Sequence, residues 1–406
     1  RHHFPRLRLS AREYGAFGRS QKKSEGYCGT EDDWPRPDKL DILERRDKRQ
    51  SRSLSFSKDG EKASCPTGSH RSLVINMKKV LLTGDRPTGS LHIGHLFGSL
   101  LNRKSLENEY ESYIMAADVQ ALTDNFEHPE KVRENVYEVV ADNLSIGLNP
   151  EKTTFFIQSQ VPQIAELTIF FSNLVTVNEL RRNPTIKTEM AQKKELFGTE
   201  GESLTYGFLG YPVSQAADIL FLRANIVPVG EEQLPVNELA RDIAKKFNKI
   251  YSEVFPIPES KLSKGARILG LDGNAKMSKS LNNAIYLNES PEETAEKIKS
   301  ATTDSENYFS YDPENRPAIS NLVLIYSLIH GTEPADAAKD LGSMPYETFK
   351  VKLAEDLNNY LAPIRERRKS ISKEYVAEVL AKGLQKVLPR AEETMTLVRK
   401  AMKIDY

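Results

Sequence analysis

The 406-residue sequence predicts an α/β protein in which a doubly wound parallel sheet is followed by an α-helical domain. Three observations predict it. Short apolar runs of strand type alternate with helical stretches between Lys79 and Phe247. The alternation stops after about Ala284. Beyond that point only helical periodicity remains. Parallel strands need crossover connections, so a βαβα rhythm implies a sheet with helices on its faces.

Taken in order, Lys79–Thr83 (KVLLT) is a buried-type strand and Gly94–Glu107 the helix after it. Tyr113–Ala117 is a second strand and Pro129–Ile146 an amphipathic helix. Thr154–Ile157 is a third strand, followed by a helix from Pro162 to Val175. Ser214–Leu222 is helical, Ile226–Val229 is a strand and Glu231–Phe247 a long helix. Pro291–Ser300, Ala318–Ile329, Tyr346–Lys369 and Ser372–Met402 then read as helices. The expected organisation is a sheet domain at 77–283, a helical domain at 284–370, and a C-terminal helix or helices at 371–406 packing back on the body.

Residues 1–76 are of a different kind. They are rich in Arg, Ser and Asp, with little apolar periodicity, and are expected to form a basic, disordered extension. They carry 17 basic and 11 acidic side chains, leaving 40 basic and 46 acidic for the rest of a chain with no net formal charge. The main body is therefore not a generic polyanion binder, and nucleic-acid contact there needs a local basic patch. Cys28 and Cys65 are the two cysteines, and both precede Met77. That excludes a disulfide scaffold and a Cys-ligated zinc site for the body. No run approaches 18 apolar residues, so no membrane partner is expected and the cytoplasm is the default compartment.

Two short peptides carry the chemistry. The strand at Lys79–Thr83 runs through Gly84-Asp85-Arg86-Pro87-Thr88-Gly89-Ser90 into His92-Ile93-Gly94-His95. In a parallel sheet such a loop lies at the carboxyl edge, where backbone N–H groups and a helix N-terminus attract phosphate. Gly94 leaves room for a flat base against the backbone. The second peptide, Lys276-Met277-Ser278-Lys279-Ser280, puts two ammonium groups and two hydroxyls into one loop after the last expected strand. Each alone has a plain alternative: the first an ordinary tight turn, the second a solvated loop. Together they suit a nucleoside triphosphate whose pyrophosphate must be gripped and then released. Asp218 sits in the apolar run Ala216-Ala217-Asp218-Ile219-Leu220-Phe221, where a carboxylate is costly unless paired. An ion pair or hydrogen bond within the core is one reading of it, and an acceptor for a ligand the other.

The His and Lys peptides, 181 residues apart, resemble the signature pair of the class I aminoacyl-tRNA synthetases. With GDRPTGS, Tyr211–Leu220 (YPVSQAADIL), Val229–Gln233 (VGEEQ) and Gly265–Ile268, the body from 77 to 406 resembles the bacterial-type tryptophanyl-tRNA synthetases. That resemblance implies a Rossmann-like catalytic domain with the ATP and amino-acid sites, a helical anticodon-recognising domain, a homodimer, cognate tRNA as partner, and ATP with magnesium as substrate. No tightly bound cofactor or resident metal is implied. Arg86, Pro87 and Thr88 would line the phosphates and ribose, and His92, Gly94 and His95 would sit against ATP. Gly230, Glu231 and Glu232 would contact ribose, and Ile268 would touch adenine by its backbone. Lys276, Met277, Ser278, Lys279 and Ser280 would hold pyrophosphate, with Lys276, Ser278, Lys279, His92 and His95 as the catalytic set. Asp218 would accept the indole N–H of tryptophan, with Tyr211, Gln215, Gln233 and Gly84 lining the amino-acid pocket. The basic cluster Arg365-Glu366-Arg367-Arg368-Lys369 would face tRNA, the alternative being a solvated helix face. The sequence departs from many relatives at Arg86 (commonly Gln), Glu232 (Asp), the vicinity of Gln215 (Met) and Gln120 (His in some). Tyrosyl-tRNA synthetases share both peptides, but Tyr211–Leu220 fits the tryptophan enzymes better. Another nucleotidyltransferase that carries the His peptide and acts on a small molecule, and a non-catalytic paralogue, are the remaining alternatives; the helical C-terminal domain and the complete Lys peptide argue against the former.

Overall fold

The computed structural model describes residues 78–197, 205–230, 233–262, 267–274, 277, 281 and 283–406, all within the unit Val74–Tyr406. The extension expected at 1–76 lies outside the described residues.

Five strands form one parallel sheet in the order β3-β2-β1-β4-β5: β1 Val80–Asp85, β2 Glu111–Ala116, β3 Thr153–Ile157, β4 Ile226–Val229 and β5 Glu259–Leu262. All four pairings are parallel. The strand order reverses between β1 and β4. The crevice beyond their carboxyl ends is therefore the switch point at which open α/β sheets bind ligands. The central strands are apolar because both faces are covered; every residue of β3 is buried. β5 was not expected. Its sequence, ESKL, is polar because it is an edge strand half in solvent.

Helices α1 Ile93–His95 and α2 Leu101–Leu106 are joined by a π-helical segment, Leu96–Leu100. Then come α3 Asp118–Asn125, α4 Pro129–Ser145, α5 Pro162–Ser172, α6 Val177–Arg182, α7 Pro184–Phe197, α8 Tyr206–Leu220 and α9 Leu234–Ile250. After the sheet follow α10 Pro291–Lys299, α11 Pro317–His330, α12 Pro334–Leu341, α13 Tyr346–Ser370 and α14 Lys373–Met402. Helix starts follow local chemistry. Ser290 caps α10 through Glu293 N–H, with Pro291 in the first turn. α9 buries Val236, Ala240, Ile243, Ala244 and Phe247, the stripe of a helix on a sheet. α8 starts eight residues before the expected Ser214 because Gly207, Gly210 and Pro212 break its pattern without breaking the helix. α3, α6, α7 and α12 are additional to the expected helices.

The boundary expected at 283/284 does not separate distinct cores. Leu91, Ile93 and Leu96 share one apolar cluster with Leu322, Phe349 and Leu353. α14 joins this cluster through Val376, Val379 and Leu380, and joins the cluster under α5 and α8 through Val387, Ala391, Met395 and Val398. Between these sets lies Gly383, where an added Cβ would stand 1.7 Å from the Phe155 carbonyl oxygen. Gly383 thus lets the helix backbone close on edge strand β3. Gly383→Ala is expected to cost more than about 3 kcal/mol, since the clash is with backbone that cannot rotate away. Urea denaturation measures it; a change below about 1 kcal/mol would contradict this contact.

Candidate active site

The His peptide and the segment following the Lys peptide are stitched together. Ile93 N–H donates to the Ile285 carbonyl at 2.9 Å, and Leu287 N–H donates to the Leu91 carbonyl at 3.0 Å. His92 and Tyr286 form the antiparallel bridge between these bonds. Met277, the second residue of the Lys peptide, is 3% exposed and belongs to the same apolar cluster as Leu91, Ile93, Ile268 and Ile285. A Cβ on Gly94 would lie 3.8 Å from the Met277 sulfur. Residues 183 positions apart therefore touch at the glycine of the His peptide. Met277, expected to hold pyrophosphate with its neighbours, instead turns its side chain into the core and serves as the loop's anchor. Lys276, Ser278, Lys279 and Ser280 lie outside the described residues.

His92 is 6% exposed and its ring lies 3.9 Å from that of His95, centroid to centroid. The His92 backbone N–H donates to His95 Nδ1 at 3.3 Å. An accepting Nδ1 carries no proton, so neutral His95 presents Nε2–H as a donor. Gly94 keeps this pair in place. A Cβ there would be 2.9 Å from Cε1 and Nδ1 of His92. Gly94→Ala is expected to push the His92 ring aside and lower the rate of the catalysed step roughly 10²-fold, the scale of a displacement near 1 Å, with little change in melting temperature. An unaltered rate would contradict that role.

Two buried ionic contacts hold the loop before the histidines. Asp85, at the end of β1, receives Arg103 on both oxygens (2.5 and 2.7 Å) and the Asn143 amide at 2.9 Å. Burial pushes the Asp85 carboxyl up, but Arg103 and Asn143 together hold it below its usual value. Asp142 on α4 accepts the Leu91 N–H at 2.7 Å and Arg368 Nε at 2.9 Å. Burial raises Asp142 to about 6, against the pull of these two donors. Arg368 also reaches Glu138, which accepts from Asn288 and Ser90. The basic cluster near the end of α13 is thus divided: Arg365 and Arg368 turn inward, while Glu366, Arg367 and Lys369 are exposed. Arg365 is buried against Asn358 and Thr294, Arg367 donates to the Ser145 carbonyl, and Arg368 is clamped on α4. Arg365 and Arg368 thus depart from both sequence readings of the cluster, being held on internal partners, while Arg367 and Lys369 stay on the solvent side.

A second set of groups gathers beyond β2 and β3. Asp218 on α8 is 2% exposed. Its Oδ1 accepts the Gln158 side-chain amide at 2.8 Å, while Oδ2 has no hydrogen-bond partner among the described residues. Burial pushes Asp218 up to about 7; the Gln158 donor lowers it and the Asp118 carboxylate adds to the rise. Gln120 on α3, a position at which the sequence departs from some relatives, donates to Gln215 at 3.4 Å. Tyr211 is half-buried one turn before Gln215, with its ring against Phe208. The arrangement is a buried carboxylate oxygen among apolar side chains, able to accept from one N–H donor.

The other expected residues fall on the same carboxyl edge. Gly84 is exposed at the end of β1, followed by exposed Arg86, buried Pro87 and exposed Thr88. Gly230 ends β4, its carbonyl accepting the N–H of Gln233, which starts α9. Ile268 buries its side chain in the core beside Met277, and next to it the Leu269 N–H donates to Asn321. Glu231 and Glu232 lie outside the described residues. Gln158 and Asp118 were not singled out from sequence; the only signal for them was their place after strands β3 and β2. Among the described residues no group of three or more His, Cys, Asp or Glu is placed to hold a metal ion.

Comparison with known proteins agrees with this geometry. Residues 76–362 match the family of class I tRNA synthetases for tryptophan and tyrosine. A tryptophan–tRNA ligase of Clostridium longisporum is 43% identical over 342 residues, covering 81% of this chain and 98% of that relative. The crystal structure of tryptophanyl-tRNA synthetase from Campylobacter jejuni, complexed with ADP and tryptophan, is 31% identical with a TM-score of 0.68, covering 80% of this chain and 99% of that one. The Mycoplasma pneumoniae enzyme is 29% identical with a TM-score of 0.70, over 80% and 98% of the two chains. The chain belongs to the class I tRNA synthetases, and within them to the bacterial-type tryptophanyl-tRNA synthetases.

Proposed function

We propose that the surroundings of Asp218 are the tryptophan site of a tryptophan–tRNA ligase and that the His and Lys peptides form its ATP site. One observation supports the reading: a buried carboxylate with one oxygen held and the other unpartnered among the described residues, in a chain whose relatives are tryptophan–tRNA ligases. ATP enters as its magnesium complex, a substrate. The carboxylate of tryptophan, already ionised at neutral pH, attacks the α-phosphorus; the bond to the bridging oxygen breaks, and pyrophosphate leaves. A terminal ribose hydroxyl of cognate tRNA then attacks the carbonyl carbon of the adenylate and AMP departs. No general base is needed in the first step, so catalysis is positioning and charge stabilisation, with on the order of 7–11 kcal/mol available from positioning. Gly84, Arg86, Pro87 and Thr88 lie along the β1 turn, His92 and His95 offer ring donors, and Gly230, Glu231, Glu232 and Ile268 frame the nucleoside. Lys276, Ser278, Lys279 and Ser280 take the charge that builds on pyrophosphate. Tyr211, Gln215 and Gln233 hold the polar end of the amino acid.

The segments after Ala284 are read as the tRNA-binding region and the enzyme as a cytoplasmic homodimer, on the strength of family resemblance. No described helix is long and apolar enough to cross a membrane. The test is ATP–pyrophosphate exchange with each amino acid separately. Exchange with tryptophan alone is expected. Exchange driven by tyrosine would select the neighbouring specificity, and exchange with none would select a non-catalytic paralogue.

A further inference from the structure

Gln158 is 2% exposed and follows directly on β3. Its carbonyl oxygen accepts the backbone N–H of Gln120 at 3.1 Å, while its amide nitrogen donates to Asp218 Oδ1 at 2.8 Å. These two bonds fix the amide's direction. Turned over, it would set an N–H against an N–H and a carbonyl against a carboxylate. The flanking loops are also fixed. Ser159 donates through its backbone (2.9 Å) and its hydroxyl (2.5 Å) to the two oxygens of Asp118. The ends of β2 and β3 are thereby tied together around one neutral donor aimed at one buried carboxylate.

We propose that Gln158 is a positioning residue for the amino-acid pocket: it occupies Oδ1 of Asp218, fixes the carboxylate plane, and leaves Oδ2 as the acceptor for the ring N–H of the substrate. The inference rests on the reading of Asp218 given above and deepens it. A carboxylate free to rotate would offer either oxygen and would more readily be protonated in a dry pocket. Among the described residues no cation acts on Asp218 to do this work; the charge acting on it is that of Asp118, which is of like sign. α5 and α9 contribute Leu167, Phe171, Ala240 and Ile243 to the apolar cluster that holds α8, and Tyr211 is the titratable side chain near Asp218 on α8 itself. The Gln158 bond lowers the Asp218 pKa, so its loss moves that pKa further up. The sign follows. Below the pKa Asp218 is protonated and its acceptor strength falls, so a variant lacking the donor binds tryptophan worse near neutrality and recovers as pH rises.

The experiment measures KM for tryptophan and for ATP between pH 6 and 9 in wild type, Gln158→Leu and Gln158→Glu, with melting temperatures alongside. At pH 7 KM for tryptophan should rise roughly tenfold in Gln158→Leu, the scale of one hydrogen bond to a charged group. KM for ATP should stay unchanged. The acid limb of kcat/KM for tryptophan should move to higher pH, and the deficit should shrink by pH 9. Gln158→Glu keeps the shape of the side chain and serves if the leucine variant fails to fold; its limb should move further, since two carboxyls then share the site. A deficit equal at every pH, or none at all, would overturn the proposal. Asp218→Asn separates the two layers. An unchanged tryptophan KM in that variant overturns the reading of Asp218 itself, whereas a raised KM together with a pH-independent Gln158 deficit overturns the positioning role alone.

Discussion

Replacing Asp218 by alanine is expected to lower kcat/KM for tryptophan by about 10–150-fold, the range of one hydrogen bond to a charged group, and to remove most of the preference over phenylalanine. The second effect is the larger. Phenylalanine has no N–H to offer, so in the native site it leaves a buried acceptor with nothing to accept. Sites built around such a bond discriminate by roughly 10⁴–10⁵. Once the acceptor is gone, both side chains meet an apolar slot and differ only in size, which is worth about 1–3 kcal/mol. Asp218 is suited to this because its Oδ2 is buried without a partner and its Oδ1 is already held. Exchange assays with tryptophan and phenylalanine check the prediction, and an unchanged preference would contradict it.

Lys276→Ala and Lys279→Ala are each expected to reduce the rate of adenylate formation by about 10²–10³-fold, the scale of losing one preorganised group that meets transition-state charge. Tryptophan binding should change far less if, as proposed, the lysines act where negative charge accumulates as the α–β phosphate bond breaks. The anchor between them supports this placement: Met277 is packed beneath the His peptide, within van der Waals reach of a side chain built on Gly94. Single-turnover rates and equilibrium tryptophan binding separate the two quantities. Equal losses in both would count against a transition-state role.

The sheet was legible because its first four strands are apolar on both faces and are punctuated by helices of ordinary period. β5 was not, because an edge strand reading ESKL carries no periodic apolar signal. The start of α8 was hidden by Gly207, Gly210 and Pro212, whose local preference is overridden by packing of Phe208, Val213 and Ala217. Asp218 stood out as a charge in an apolar run. Gln158 did not, since a neutral amide gains its meaning from partners at 120 and 218 that only the fold brings near. Arg365 and Arg368 misled for the same reason. Their guanidinium groups meet Thr294 and Asp142, 71 and 226 residues away, and no local pattern announces a buried pair across that distance. Asp142 carried a faint signal, an acid among Val139, Val140, Ala141 and Leu144. The convergence of the two signature peptides depends on chain segments 91–93 and 285–287 pairing, which sequence separation conceals.

The central claim is that one crevice holds both the triphosphate and the indole. A crystal structure of the enzyme with tryptophan and a non-hydrolysable ATP analogue tests it most directly. The predicted result places the indole nitrogen within hydrogen-bond distance of Asp218 Oδ2 and the triphosphate between His92–His95 and Lys276–Ser280. A triphosphate bound away from either peptide, or an indole that leaves Asp218 without a partner, would contradict it.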